Sequence, residues 1–75
     1  MINSSITKEQ LHILRHALGM NKHPPVDRNY YADEPDSNDC LALVLKGMMV
    51  VGRAIPGGLT HFHVTNFGRH ITEKD

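Results

Sequence analysis

A chain of 75 residues, 40% hydrophobic and 21% charged, has enough apolar surface for one core and too little for two, and this composition argues against a disordered chain. Eight basic and eight acidic side chains cancel, so no overall charge draws the protein to a phosphate backbone or an anionic membrane. The single cysteine, Cys40, excludes an intramolecular disulfide and fits a reducing compartment, the cytoplasm. No apolar run approaches the roughly 18 to 20 residues of a membrane span, and Met1-Ile2-Asn3-Ser4-Ser5 lacks a signal-peptide profile, so a soluble protein is expected.

Residues 1–6 read as a flexible N-terminus. Thr7 and Gln10 then form a capping box, with Ile6 and Leu11 at the positions of a hydrophobic staple, so a first helix is expected to start at Lys8. Leu11, Leu14 and Leu18 recur at helical spacing, Ile13 and Ala17 widen the stripe, and Gly19 suits a left-handed terminus; the helix is expected over residues 8–18. From 20 to 35 the period breaks. His23-Pro24-Pro25 forbids helix, Asp27-Arg28-Asn29 is polar, and Val26, Tyr30 and Tyr31 are the anchors of a long ordered loop or a short strand.

Asp36 and Ser37 are candidate N-caps for a second helix, Asp39 adds negative charge to its first turn, Leu41, Val44, Leu45 and Met48 follow at helical spacing, and Gly47 marks the stop. The β-branched stretch 48–55, the turn Pro56-Gly57-Gly58 and the strand Leu59 to Val64, with Phe62 and Val64 alternating inward, predict a hairpin. Thr65 caps a final helix over 66–73, in which Phe67 and Ile71 share a face.

The run Leu43-Val44-Leu45-Lys46-Gly47-Met48-Met49, the hairpin, and His63-Val64-Thr65-Asn66-Phe67-Gly68-Arg69 together resemble the second half of winged-helix regulators over residues 36–72. In those proteins a recognition helix ends at a glycine, a β-hairpin wing follows, and a valine-threonine-x-x-glycine-arginine turn opens the next helix. The resemblance implies an α+β, winged-helix-like single domain over 1–75, with an incomplete helix-turn-helix because the 20–35 loop stands where a short helix would pack. The whole chain, including Thr7-Lys8-Glu9-Gln10-Leu11 and Leu14-Arg15-His16-Ala17-Leu18-Gly19, is also similar to short phage and prophage proteins of unassigned function. That similarity implies a viral origin, a bacterial host cytoplasm and no particular activity.

The second helix begins Asp36-Ser37-Asn38-Asp39, and its two carboxylates repel phosphates where a DNA reader would present Arg, Lys, Asn, Gln or Ser to base edges. The first expectation is therefore an accessory protein that binds a host or phage protein through Tyr30, Tyr31, Asp36, Asp39, Arg53, His61 and His63. The alternative is a dimeric DNA-binding regulator using Arg28, Lys46, Arg53 and Arg69 on phosphates. Adjacent strand residues point to opposite faces, so at most one of Met48 and Met49 is expected inward. The other, with Val51, would leave an apolar strip for a second copy or another partner, unless the Tyr30-Tyr31 loop covers it.

Six histidines raise the question of a metal, with His12 and His16 one helical turn apart and His61 and His63 on one strand face. Neither pair completes a four-ligand zinc pattern, so no metal or cofactor is expected. Cys40 near a helix start would gain thiolate character from the dipole and lose it to Asp36 and Asp39; with no partnered base, no enzyme is expected.

Overall fold

The computed structural model describes residues 6–20, 22 and 28–74, which form three helices and a three-stranded antiparallel sheet. The expected break at His23-Pro24-Pro25, the anchor Val26, Asp27 and the N-terminal residues 1–5 lie outside the described residues; Ile6 packs against the core. Helix α1, Lys8–Ala17, begins at the capping box: the Gln10 amide donates to Thr7 Oγ1 at 3.0 Å and the Thr7 amide to Gln10 Oε1 at 3.3 Å. Each satisfies a donor that the first helical turn leaves without a partner. The helix ends at Ala17, one residue before the expected end, with Leu18 as its C-cap. The amides of Gly19 and Met20 then donate back to His16 O and Arg15 O, at 3.1 and 2.9 Å.

Helix α2, Asn38–Leu45, repeats this design. Ser37 is its N-cap, accepting from the Cys40 amide, and beyond the C-cap Lys46 the amides of Gly47 and Met48 donate to Val44 O and Leu43 O. Gly47 holds φ at +78°, a region that costs a residue with Cβ about 1–2 kcal/mol, so only here can the chain reverse cheaply out of the helix. The reversal overturns one expectation. Both Met48 and Met49 are buried, because Met48 still belongs to the helix terminus and packs back towards Leu43, while the strand alternation starts only at Met49.

The sheet has β1 (Tyr31–Asp33), β2 (Met49–Ile55) and β3 (Leu59–Val64) in the order β1-β3-β2, so the expected loop over 20–35 ends in a short edge strand. Tyr31 and Val51 flank Phe62 in one row, and Met49 faces Val64 in the next; Ala32 pairs with His61 and Val50 with His63 on the opposite face. The β2 strand is interrupted between Val51 and Ala54, where Gly52 and Arg53 bulge out of register. A Cβ on Gly52 would run into the His63 imidazole.

Helix α1 packs on β1 and β3, α2 on β2, and α3, Asn66–Lys74, on β3 and α1. Between them lie Ile13, Leu14, Ala17, Leu18, Cys40, Leu43, Met48, Met49, Phe62 and Val64. The largest of these each stabilise the fold by about 1.5–3 kcal/mol through burial. Thr65 joins three elements: its amide donates to Met48 O, its hydroxyl donates to Gly47 O, and its Oγ1 accepts from the Gly68 amide to start α3. Gly68 lies against the Met48 carbonyl so closely that no side chain fits, which draws α3 inward on Gly68, Ile71 and Thr72. Phe67 consequently sits at the margin of that face, half-exposed, instead of sharing the buried face with Ile71.

Candidate functional site

Residues 28–31 are fastened one by one to α1 and β3. Arg28 donates through Nε and Nη2 to His16 O, at 3.2 and 2.7 Å, where the end of α1 offers carbonyls without helical partners. Its Nη2 also meets His16 Nδ1 at 3.2 Å, and since a guanidinium only donates, that nitrogen is the acceptor of a neutral imidazole. Burial, then the nearby charges of Arg28, His12 and Lys22, hold the His16 pKa below its ordinary value of 6.5, in keeping with that neutral form. Asn29 uses its side chain as a strand would use its backbone: Oδ1 accepts from the Val64 amide at 2.6 Å and Nδ2 donates to Val64 O at 3.0 Å. Its carbonyl accepts from His63 Nδ1 at 2.7 Å, which places the His63 proton on Nδ1.

The amide of Tyr30 donates to Ala17 O, and its ring lies on the sheet face turned away from the core. There it stacks with His61 at 5.0 Å between centroids, with Arg28 Cζ 5.3 Å from its own centroid and the His63 ring 6.3 Å beyond His61. Tyr30 is 44% exposed, and Ala32 and Val50 on the same face are exposed as well. Aromatic and cation-π contacts of this kind hold a ring in place at about 0.5–1.5 kcal/mol each while leaving one side open. Tyr31 turns the other way. It packs against the core, edge-on to His16 at 5.4 Å, and burial followed by the charge of Asp33 raises its pKa above 10.0.

The structure thus brings Tyr30, His61 and His63 together with Arg28 and separates them from the remaining candidates. Asp36, exposed, and Asp39, half-buried, stand at the start of α2 with Asp33 and Glu34. The Asp33 carboxylate accepts from the Glu34 amide at 2.8 Å and from Cys40 Sγ at 3.7 Å. Burial pushes the Cys40 thiol pKa up, a hydrogen bond with Ser37 opposes this, and Asp33 and Asp39 push it further up, so the dipole does not produce a thiolate. Arg53 is exposed in the bulge of β2 and Arg69 is exposed on α3, while Lys46 Nζ donates to Gln10 Oε1 on α1 at 2.6 Å. Among the described residues no three His, Cys, Asp or Glu side chains stand close enough to hold a metal ion. Among them, too, no helix is long and apolar enough to cross a membrane.

Two sets of residues escaped the sequence reading. Leu41 and Leu45, read at helical spacing with Val44 and Met48, are both exposed, Leu45 at 89%, because the helix buries the side centred on Cys40 and Leu43. A helical projection separates Leu41 and Leu45 from that centre by more than 90°, but packing sets the centre itself. Asn29 carried no local signal, since its partners are 35 residues away. Comparison with protein-family models, with curated proteins and with solved structures finds no match for this chain.

Proposed function

We propose that this chain is a phage- or prophage-derived accessory protein of the host cytoplasm that binds another protein without catalysing a reaction. Its scaffold is winged-helix-like, with α2 in the place of a recognition helix and the β2–β3 hairpin in that of the wing. The observation that carries this reading is the outer sheet face, where Tyr30 is held between Arg28 and His61, with His63 beside them and one side of the ring in water. Tyrosine and arginine dominate the energetics of protein interfaces, and a ring already fixed loses little freedom on binding. Arg53 on the hairpin and Asp36 and Asp39 at the start of α2 supply polar contacts at the margins.

The DNA-binding alternative is less well supplied. Of its four cations, Arg28 and Lys46 donate to groups within the fold, and Arg53 and Arg69 stand on separate elements. Exposed at the start of α2 are Asp36 and Asn38, and the Asp36 carboxylate repels the phosphates that a base-reading helix must approach. Affinity capture from host lysate decides between them: the protein reading expects a partner retained by wild type and lost with Tyr30→Ser/His61→Ser. Gel shift on random duplex is expected to show no retardation. Salt-sensitive retardation abolished by Arg53→Ala would transfer the assignment to DNA.

A further inference from the structure

We infer that the last turn of α1 is a proton-sensitive clasp on residues 28–31, which opens when the His16 ring takes up a proton and thereby loosens Tyr30. The clasp supplies regulation to the partner contact proposed at Tyr30, and rests on that reading. Three groups form it. His16 O accepts from Arg28 Nε and Nη2, at 3.2 and 2.7 Å, and Ala17 O accepts from the Tyr30 amide at 3.0 Å. The His16 ring reaches residues on both sides of Tyr30: its Nδ1 stands 3.2 Å from Arg28 Nη2, and the ring meets Tyr31 edge-on at 5.4 Å.

Only a neutral imidazole fits this position. A guanidinium donates from five N–H groups, accepts nothing and keeps its charge, and an imidazolium donates from both nitrogens. A proton on His16 Nδ1 therefore sets donor against donor and charge against charge across 3.2 Å. The separation that follows has two forms. Retreat of the guanidinium takes Arg28 from the helix terminus and from its place 5.3 Å from the Tyr30 centroid; rotation of the ring gives up the edge contact with Tyr31. Either form releases one flank of Tyr30, whose own amide is held by the adjacent Ala17 O.

Among the described residues, the surroundings of the ring add positive charge and no counter-charge. Burial, then Arg28, His12 one turn back on α1 with its ring centroid 6.3 Å away, and Lys22 lower the His16 pKa. From β1 the ring meets Tyr31, a phenol that stays neutral, while the Asp33 carboxylate is engaged by the Glu34 amide and Cys40 Sγ. Helices α2 and α3 and strand β3 also pack on α1, and none of their described charged groups acts on the ring. Since the clasped state holds the neutral ring, closure is complete above about pH 6.5 and is lost as pH falls through the lower folded value.

Amide hydrogen exchange read by NMR tests the clasp without any partner. Between about pH 7.5 and 5, protection of the Tyr30 amide is expected to fall with the midpoint of the His16 ring's own titration. The fall should reach up to about tenfold for each unit that separates the pKa values of released and clasped His16. His16→Asn removes the titration and leaves a carbonyl oxygen for Arg28, so its Tyr30 protection should stay constant. The Met48 amide, bonded to Leu43 O, should keep its protection in both proteins, which marks the opening as local. Tyr30 protection that ignores the His16 titration overturns the inference, as does a fall that persists in His16→Asn and so follows the His61 ring stacked on Tyr30. Should His16→Asn fail to fold, the wild-type midpoint decides alone, and coincidence with the His61 ring instead of His16 overturns the clasp. A captured partner should be retained less well by wild type over the same pH range, and equally by His16→Asn. Capture that fails altogether bears on the binding reading and leaves the exchange result standing.

Discussion

The two margins of the sheet are built on opposite plans. Along β1, each residue from Arg28 to Tyr31 has its own anchor: a helix terminus, a strand backbone, an imidazole and the core. Along β2, the apolar residues Val50 and Val51 face water, and the strand bulges at its midpoint. A short chain closes one margin with its own side chains because a sheet with two open edges is prone to unwanted pairing. On the other margin it leaves Val50 and Val51 exposed.

The contrast can be broken most sharply at Asn29. Replacing it with alanine leaves the Val64 amide and carbonyl without the bonds that the side chain supplies, which should cost about 2 kcal/mol and lower Tm by about 10 °C in thermal unfolding. A midpoint within about 2 °C of wild type would mean that water replaces Asn29 and that the β1 margin is not closed by it.

A smaller effect should come from pH. The folded state holds His16 below its ordinary pKa, so unfolding favours proton uptake there. The stability linked to the neutral ring is complete above about pH 6.5 and is lost as pH falls through the lower folded value. Between about pH 7.5 and 5, wild type should therefore lose more stability than His16→Gln. Equal slopes for the two proteins would show that Arg28 does not depend on a neutral His16.

The smallest effect belongs to α2, which packs on β2 at the other margin. Leu45→Glu should change unfolding stability by less than about 0.5 kcal/mol, the range of surface substitutions that disturb no buried contact. A loss comparable to that of Asn29→Ala would place Leu45 within the fold and reduce the difference between the margins.

Local features were legible in the sequence to the extent that their physics is local. Thr7 and Gln10 close their bonds within one turn, Gly19 and Gly47 mark the helix ends, and the alternation of Phe62 and Val64 follows from the pleat. Met48 was misread because a reversal at Gly47 interrupts strand alternation, and Leu41 because helical spacing alone does not say which side a helix turns towards the core. The outer face was half legible: His61 and His63 follow from strand period, but Tyr30 reaches them only through pairing of β1 with β3.

By itself, then, the sequence determined the α+β class, the caps, the hairpin and the inward face of β3, since each depends on neighbours within about four residues or on strand period. Only the tertiary structure decided that Asn29 pins the loop to Val64, that Tyr30 and Tyr31 part to opposite faces, and that α2 turns Cys40 and Leu43 inward and leaves Leu41 and Leu45 exposed. These depend on which elements lie side by side, and that is chosen by burial of the shared core, a sum over the whole chain.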